Sequence, residues 1–304
     1  MTIAYCVVAH QRPAQTQRLV HRLLADDPAC QVVLHYDQSY EPLDLSQVTL
    51  PRVRLMRERP ISWGTPAIVD LFVEMLQIAL AAGCSYASIL SGQDYPVRAV
   101  GGLETVLSQY DVWADLRPLL TEDGSFNGDA ERARYTYRWW YLNTPPRWLR
   151  GIDRGVAKAL GDPSYRTQPP RRLVRLRQRQ QIWWGVKSGG PGVPIYEGSV
   201  WMDLSARAIE AVCASSGNVR SFFRHVPCAD EACLHTILGN TTGLSFAPGN
   251  GRFIRWAPGA ESPDILTLGD LTDIRSSGAH FARKFDERVD AAVLDHLDPG
   301  GEGP

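Results

Sequence analysis

The chain has 304 residues, enough to bury one large hydrophobic core or two modest ones. Hydrophobic residues make up 44% of the chain and charged residues 21%, which is ordinary for a soluble globular protein. The formal net charge of −1 argues against a general nucleic-acid-binding protein, because such proteins are usually basic overall. Any site for an anion must therefore be local.

The first residues indicate a buried strand and not a targeting segment. Residues 1–9 lack the basic region of a signal peptide, and no apolar run is long enough to span a bilayer. The cysteines, at positions 6, 30, 84, 213, 228 and 233, show no CxxC pair and no zinc-binding spacing. We expect reduced, buried thiols in a cytoplasmic protein. The Arg-, Ala- and Pro-rich composition suits a bacterial source.

Strands and helices alternate over the first 110 residues. Apolar runs predict strands at Ile3–Ala9, Val32–Asp37, Val53–Leu55 and Tyr86–Leu90. Apolar residues at helical spacing predict helices at Ala14–Ala25, Pro66–Ala82 and Val100–Gln109. Such alternation is typical of a mainly parallel sheet with right-handed connections. We predict an α/β fold in which helices flank this sheet.

The pattern becomes irregular from residue 111 onward. Regular structure is predicted again at Val200–Leu204, Ala206–Ala214 and Glu231–Leu238. Arg166–Arg179 holds six arginines and no acids, and we favour a solvated helical face or mobile loop over a phosphate site. The Gly- and Pro-rich tail Asp298–Pro304 is expected to be disordered. No clear linker divides the chain, so residues 1–297 are expected to form a single domain.

Two distant segments have the composition of a ligand site. Ser91–Pro96, with the sequence Ser-Gly-Gln-Asp-Tyr-Pro, is a polar turn after the strand Tyr86–Leu90. Open α/β sheets bind their ligands at the carboxyl ends of such strands. Phe281–Asp286 sets Arg283 and Lys284 side by side between two phenylalanines, which suits a site for phosphate charge.

These segments, with Trp63-Gly64 and Asp230-Glu231, resemble the core-2/I-branching beta-1,6-N-acetylglucosaminyltransferase and peptide O-xylosyltransferase family. The resemblance lies in scattered blocks from about residue 3 to 290 and is poor between residues 111 and 190. It implies a GT-A-like, nucleotide-binding fold with a donor half at 1–110 and an acceptor-binding and catalytic half at 111–297. The implied reaction is an inverting, metal-independent transfer from a UDP-sugar (N-acetylglucosamine, xylose or glucose type) to a hydroxyl of a carbohydrate or another acceptor.

The resemblance places the donor against the ends of the first strands. Asp37 matches a family aspartate close to the uracil or ribose, groups that a carboxylate can bind, although a turn-forming aspartate explains it equally well. The other expected donor contacts are His10, Arg12, Trp63, Gly64, Ser91, Gly92, Gln93 and Asp94. For Trp63 and Gly64, packing at the start of the following helix is an equal alternative.

Lys284 and Arg283 are the expected catalytic cations. The loop after the second strand lacks the Asp-x-Asp pair that holds a metal in many sugar-nucleotide transferases, so the leaving diphosphate needs other positive charge. Lys284 matches the lysine of the family's motif, and Arg283 matches the residue found in the xylosyltransferase version of that motif. The alternative is that the two residues are simply an exposed basic pair on the surface. The family's second basic residue has no counterpart before Gly269-Asp270-Leu271, so the candidates are Arg252, Arg255 and Arg283.

Glu231 is the expected general base, because the family's catalytic glutamate stands in a similar Pro-Asp-Glu motif. Here two residues separate Pro227 from Asp230 and Glu231. The alternative is that this acidic pair caps the following helix. Glu197, Trp256 and Asp230 are expected to contact the acceptor, with core packing equally plausible for Trp256.

Two other function classes remain open. A glycoside hydrolase would need a second carboxylate facing Glu231 and would have no use for the paired cations. A non-catalytic carbohydrate-binding protein would explain the aromatic residues but not Arg283 and Lys284. A nicotinamide dehydrogenase is disfavoured, since neither G-x-G-x-x-G nor a P-loop follows the first strand. The histidines show no metal-binding spacing, so neither a metal nor a cofactor is expected beside the donor.

Overall fold

The computed structural model describes residues 2–62, 64–120, 134–142, 173–178, 181–187, 189–215, 217–260 and 262–300. The helices of this part of the chain are α1 (Pro13–Asp26), α2 (Ala67–Ala81), α3 (Leu103–Leu107), α4 (Ala206–Ala214), α5 (Asn218–Phe223), α6 (Cys233–Gly239), α7 (Leu271–Ser276) and α8 (Ala292–Leu297). Short 3₁₀ turns lie at Leu45–Gln47, Ala229–Glu231 and Leu268–Asp270.

The strands belong to one central sheet and three small ones. In chain order they are β1 (Ile3–Ala9), β2 (Gln31–Tyr36), β3 (Val53–Leu55), β4 (Tyr86–Ser91), β5 (Asp94–Pro96), β6 (Val112–Trp113), β7 (Arg117–Pro118), β8 (Tyr137–Leu142), β9 (Leu173–Gln178), β10 (Gln181–Lys187), β11 (Tyr196–Glu197), β12 (Asp203–Ser205), β13 (Arg252–Ile254) and β14 (Phe281–Arg283). The small sheets have the orders β8-β10-β9, β11-β7 and β13-β14-β5.

The central sheet has the strand order β3-β2-β1-β4-β12-β6. The pairs β3–β2, β2–β1 and β1–β4 are parallel, while β12 runs antiparallel to both of its neighbours. Helices pack on both faces of this sheet. The predicted α/β fold, a mainly parallel sheet flanked by helices, is confirmed.

Two hydrophobic cores, one on each face, explain why β1 is an unbroken apolar run. Tyr5 packs in the core that α1, α3, α7 and α8 form, and Cys6 packs in the core that α2, α4, α5 and α6 form. Successive residues of a strand point to opposite faces, so a strand covered on both sides carries no polar alternation.

The predicted ligand loops meet at one edge of the sheet. In the parallel register, Ala9 of β1 lies beside Tyr36 of β2, and Val8 lies beside Ser91 of β4. The N–H of Asp37 then donates to the Ala9 carbonyl at 2.9 Å, and the N–H of Gly92 to the Val8 carbonyl at 3.0 Å. Asp37 and the Ser91–Pro96 turn therefore share the carboxyl edge, as predicted.

The two ligand-type segments of the sequence are neighbours in a small sheet. Strand β5 pairs antiparallel with β14, and Asp94 lies directly opposite Arg283. The Phe285 N–H also donates to the Gln93 carbonyl at 2.9 Å. Segments separated by almost two thirds of the chain thus form one unit.

The arginine-rich segment differs from its prediction where it is described. Leu173–Gln178 is the edge strand β9, which pairs antiparallel with β10, and neither a helical face nor a loop. Cross-strand hydrogen bonds stabilise this segment, and they depend on a partner strand rather than on its own apolar spacing. Residues 166–172 and 179 lie outside the described residues.

The first residue of the tail predicted to be disordered, Asp298, makes defined contacts. Asp298 accepts hydrogen bonds from the Tyr95 hydroxyl at 2.5 Å and from Arg18 and Arg22, so this residue is held in place. Two arginines and a tyrosine hydroxyl fix this aspartate, although the glycines that follow it in the sequence favour disorder. Residues 301–304 lie outside the described residues.

Two further sequence expectations can be compared with the structure. All six cysteines are free, and all but Cys213 are buried, which confirms the predicted burial of most thiols. Within the described ranges, none of the helices has the length and apolarity to cross a bilayer.

Candidate active site

A cavity of about 1260 Å³ opens beside the small β13-β14-β5 sheet. Several segments distant in the sequence supply its walls. Of the residues singled out from the sequence, it is lined by Glu197, Asp230, Glu231, Arg252, Trp256 and Arg283. Three further charged residues lie on its walls: Asp115, Arg117 and Arg134.

Glu231 is presented by a loop that is anchored at both ends. Cys228, in the left-handed region at φ 51°, donates its N–H to the Gly64 carbonyl at 2.8 Å. The Glu231 carbonyl accepts from the N–H of Gly198 at 2.9 Å. Its side chain is 47% exposed, so the carboxylate is open to the cavity.

Arg134 holds one oxygen of this carboxylate. Its Nη1 donates to Glu231 Oε2 at 2.6 Å. The Arg134 carbonyl accepts from the indole of Trp139 at 3.0 Å, which fixes the backbone that carries the guanidinium. Arg134 lies in an irregular segment with no motif around it, so its role could not be predicted from the sequence.

Asp230 and Glu231 do not cap a helix. They belong to the 3₁₀ turn Ala229–Glu231, whereas α6 begins at Cys233 and no side chain accepts a hydrogen bond at its start. The capping interpretation of this acidic pair is therefore wrong. Burial in the cavity wall, followed by the negative charge of Glu231, raises the pKa of Asp230 to about 6.

The cavity lining also includes the other predicted acceptor residues, Glu197 and Trp256. Strand β11 places Glu197 against Arg117 of β7, with Oε1 and Nη2 at 4.0 Å. Asp115, whose pKa is raised by burial, accepts from the Asn250 amide at 2.8 Å. Trp256 lines the cavity with 54% of its surface exposed, so the core-packing interpretation of this residue is wrong.

Arg283 extends into the cavity from β14. Its Nη1 lies 3.1 Å from Oδ1 of Asp94, which is fully buried. Its guanidinium carbon lies 3.9 Å from the centre of the Trp201 ring. Arg283 is 8% exposed, and its Nε and Nη1 make no hydrogen bond of good geometry among the described residues. These two nitrogens are themselves buried, so the suitability of Arg283 for an anionic group rests on its charge and its place in the cavity wall.

Lys284 lies beside Arg283 in the chain but does not line the cavity. Its Nζ donates to the Ser262 hydroxyl at 3.2 Å. Burial, followed by the positive charge of Arg283, lowers the pKa of Lys284. The two cations therefore occupy different surroundings, and in this arrangement only Arg283 of the pair faces the cavity.

The other two candidates for a second cation are compensated within the protein. Arg252 pairs with Asp203, and both side chains are completely buried. Arg255 pairs with Asp264 at 3.0 Å and with Asp270, the aspartate of the Gly269-Asp270-Leu271 segment. Of the three arginines considered from the sequence, Arg283 is the one without a strong carboxylate hydrogen bond in the cavity wall.

Asp37, at the sheet edge, is held by its own loop. Oδ1 accepts from the N–H and hydroxyl of Ser39, and Oδ2 accepts from the Ile61 N–H at 2.9 Å. Burial alone would raise its pKa, but these hydrogen bonds outweigh it, and the pKa of Asp37 lies below its ordinary value. Asp37 is therefore ionised near neutral pH.

Arg12 joins the turn after β1 to the Phe281–Asp286 segment. Its guanidinium forms two hydrogen bonds with Asp286, at 2.5 and 2.6 Å, and one with Glu41 at 3.2 Å. The ring of His10 packs edge-on against Tyr40, with centroids 4.9 Å apart. Both predicted donor residues thus lie at the carboxyl edge, and Arg12 is already paired with carboxylates.

The Ser91–Asp94 turn is held by close packing and hydrogen bonds. A Cβ on Gly92 would lie 2.7 Å from atoms of Ala9 and Thr16, so only glycine fits there. The Gln93 amide donates to the Phe285 carbonyl at 3.3 Å, and Ser91 donates its N–H to Asp94. Trp63, another predicted donor contact, lies outside the described residues.

Apart from Lys284, Gly64 and the undescribed Trp63, the predicted catalytic, donor and acceptor residues form two groups. The cavity group is Glu197, Asp230, Glu231, Trp256 and Arg283, and the edge group, which does not line the cavity, is His10, Arg12, Asp37, Ser91, Gly92, Gln93 and Asp94. The contact between Asp94 and Arg283 joins them. Within the described part of the chain, no cluster of His, Cys, Asp or Glu could hold a metal ion.

Comparisons with known proteins identify partial sequence relatives. The chain is 30% identical over 132 residues to the beta-glucuronosyltransferase GlcAT14A of Arabidopsis thaliana, covering 40% of this chain and 29% of the relative. It is 29% identical over 134 residues to GlcAT14B of the same plant, covering 41% and 30%. The chain thus spans less than a third of the length of these relatives. No protein-family model matches it.

Solved structures show only remote similarity. A protein described as a glucose-1-phosphate thymidylyltransferase from Bacillus anthracis, solved with sucrose, has a TM-score of 0.36 and 6% identity, covering 81% of this chain and 86% of that one. A mannose-1-phosphate geranyltransferase from Thermus thermophilus has a TM-score of 0.28 and 13% identity, covering 74% and 68%. TM-scores this low support no inference. The sequence relatives support a glycosyltransferase-type family.

Proposed function

We propose that this protein is an inverting, metal-independent glycosyltransferase that moves a sugar from a UDP-sugar to an acceptor hydroxyl. The observation that carries the proposal is a single cavity lined by a half-exposed carboxylate, Glu231, and by a largely buried cation, Arg283. Transfer to a hydroxyl needs a proton acceptor and positive charge for the leaving diphosphate.

In the proposed reaction Glu231 takes the proton of the acceptor hydroxyl. The acceptor oxygen forms a bond to the anomeric carbon as the bond from that carbon to the UDP oxygen breaks. One displacement at this carbon inverts its configuration. The departing UDP gains negative charge, and Arg283 is proposed to stabilise this charge. Lys284 is the second cation expected to stabilise it.

The remaining residues are proposed to orient the two substrates. Trp256 offers an exposed indole face to an acceptor sugar, and Glu197 and Asp230 offer oxygens to its hydroxyl groups. The donor nucleotide is proposed to bind at the carboxyl edge, where the resemblance assigns contacts to His10, Arg12, Asp37, Trp63, Gly64, Ser91, Gly92 and Gln93. The resemblance also assigns Asp94 there, but its side chain is fully buried, so no contact with the donor is proposed for it. The six free cysteines suit a reducing compartment such as the cytoplasm.

The test is release of UDP from a panel of donors in the presence of EDTA. The panel contains UDP-N-acetylglucosamine, UDP-xylose and UDP-glucose, with UDP-glucuronic acid added because the plant relatives are glucuronosyltransferases. Simple alkyl glycosides serve as acceptors. We expect one donor to be turned over equally with EDTA and with manganese; activity that requires manganese would refute metal independence.

A glycoside hydrolase is the second candidate, and one observation favours it. Asp230, whose pKa is raised to about 6, lines the same cavity as Glu231 and is a candidate acid. A hydrolase would cleave nitrophenyl glycosides and would not need Arg283. Glycoside cleavage that persists in an Arg283→Gln variant would support the hydrolase and contradict the transferase.

A further inference from the structure

The role of Asp94 can be derived from its position, and the argument rests on the proposed function. Its side chain is fully buried and does not line the cavity, so it cannot touch a substrate there. Oδ2 accepts the N–H of Ser91, and Oδ1 faces Arg283 at 3.1 Å. Because Asp94 and Arg283 are paired residues of β5 and β14, the two backbones fix this approach.

Trp201 constrains the same guanidinium from a second direction. The guanidinium carbon lies 3.9 Å from the ring centre, a cation–π distance that leaves no room for water between them. Asp94 thus holds the guanidinium from the sheet, and Trp201 covers one of its faces. The part of the Arg283 side chain that stays exposed, 8% of its surface, lines the cavity.

We propose that Asp94 and Trp201 are positioning residues that hold the Arg283 guanidinium in one orientation toward the diphosphate of the sugar donor. Arginine stays protonated, so the carboxylate is not needed to keep it charged. The pair instead removes the rotational freedom of a long side chain, which makes the cation ready before the glycosidic bond breaks.

A residue that positions Arg283 has a different effect on the kinetics from a residue that binds the donor directly. Burial raises the pKa of Asp94, and the positive charge of Arg283 opposes this rise. Asp94→Asn removes any negative charge that Asp94 carries, so the attraction for a diphosphate stays equal or becomes stronger. The same change releases the guanidinium from its orientation, and transition-state stabilisation falls. Asp94→Asn should therefore lower kcat about tenfold to a hundredfold, the scale of a misplaced catalytic group, without weakening UDP binding.

The experiment compares Asp94→Asn, Arg283→Gln and the double variant by kcat and by calorimetric binding of UDP and of inorganic pyrophosphate. In the Arg283→Gln background, Asp94→Asn should change kcat less than about twofold, because residues that act through one group are not additive. Asp26→Asn is the matched control, since Asp26 is also buried in an ion pair, with Arg22 at 2.8 Å, away from the cavity. It should leave kcat and UDP binding unchanged.

Trp201 supplies an independent pair of variants if Asp94→Asn does not fold. Trp201→Phe keeps an aromatic face and should retain most of kcat, whereas Trp201→Leu should lose about as much as Asp94→Asn. Loss of UDP affinity in step with kcat, or a full further loss in the Arg283→Gln background, would overturn the proposal. Wild-type protein that binds neither UDP nor pyrophosphate would overturn the proposed function as well, whereas an active wild type with unaffected variants would overturn only the positioning roles.

Discussion

Arg252 and Asp203 form an ion pair in which neither side chain has any exposed surface. The guanidinium also donates to the Ser88 hydroxyl at 3.0 Å and lies over the ring of Phe281, with its carbon 5.4 Å from the ring centre. The pair joins β13 and β14 of the small sheet to β12 and β4 of the central sheet. The cavity wall is therefore fixed to the core by charge as well as by apolar packing.

Breaking this pair should cost much of the protein's stability. Asp203→Ala or Arg252→Ala leaves one buried charge unpaired, and each should lower the free energy of unfolding by about 3–5 kcal/mol. The double variant should lose less than the sum of the two, because it leaves no unpaired charge. Denaturant unfolding measures these values. Arg288→Ala, which breaks an exposed pair with Glu41, is the control and should cost less than about 1 kcal/mol; an equal cost would contradict the argument.

Glu231→Gln tests the proposed base. The amide cannot accept a proton at neutral pH, so turnover should fall about 10²–10⁴-fold. Folding and UDP affinity should change little, because the side chain is half-exposed, caps no helix and takes no part in the proposed binding of UDP. Turnover, UDP affinity and melting temperature are measured together. Glu210→Gln, at an exposed position on α4, should leave all three unchanged. Near-normal turnover of the Glu231→Gln variant would eliminate Glu231 as the base.

Asp230 should make stability depend on pH in a defined window. Its ordinary pKa of 3.8 is raised to about 6 in the folded protein, so between these values the folded state binds the additional proton. The stabilising contribution of Asp230 is fully present below its ordinary pKa and is lost as the pH rises through the raised pKa of the folded protein. The melting temperature of Asp230→Asn relative to wild type should therefore rise from about pH 4 to about pH 7. A difference that stays constant over this range would contradict the assignment.

Gly198→Ala should disturb the wall that supports Glu231. An added Cβ would lie 1.8 Å from the Asp115 carbonyl oxygen and 2.9 Å from the His235 ring, and Gly198 also donates its N–H to the Glu231 carbonyl. We expect a loss of about 1–3 kcal/mol in the free energy of unfolding, as for other overpacked sites, together with reduced turnover. Gly190→Ala, where a Cβ meets no atom within 4 Å, is the control. Equal stability of the two variants would show that the wall relaxes.

The sheet could be predicted from the sequence because its signals are local. The unbroken run Ile3–Ala9 and the apolar spacing of α2 are properties of consecutive residues, and both elements lie where they were predicted. β9 was missed because an arginine-rich strand depends on the partner strand β10, which sequence spacing does not reveal.

Only those site residues that belong to a recognisable motif could be predicted from the sequence. The motifs placed Glu231 and Arg283 together, and these two residues do share the cavity. Arg134 was missed since nothing in the neighbouring sequence marks it, and Trp201 received no role. The pairing of Asp94 with Arg283 is a matter of register between β5 and β14, which no local pattern encodes.

Strands from late in the sequence pair with strands from early in the sequence, and this pairing sets an order for folding during synthesis. Strand β4 is complete at Ser91, but its neighbour β12 begins only at Asp203, and β5 pairs with β14, which begins at Phe281. A nascent chain that ends before these residues therefore exposes the unpaired edges of β4 and β5, and exposed edges are sites of aggregation. Ribosome-bound chains stalled before Asp203 should depend on a chaperone that covers strand edges, and this dependence should end only after Arg283 has left the exit tunnel.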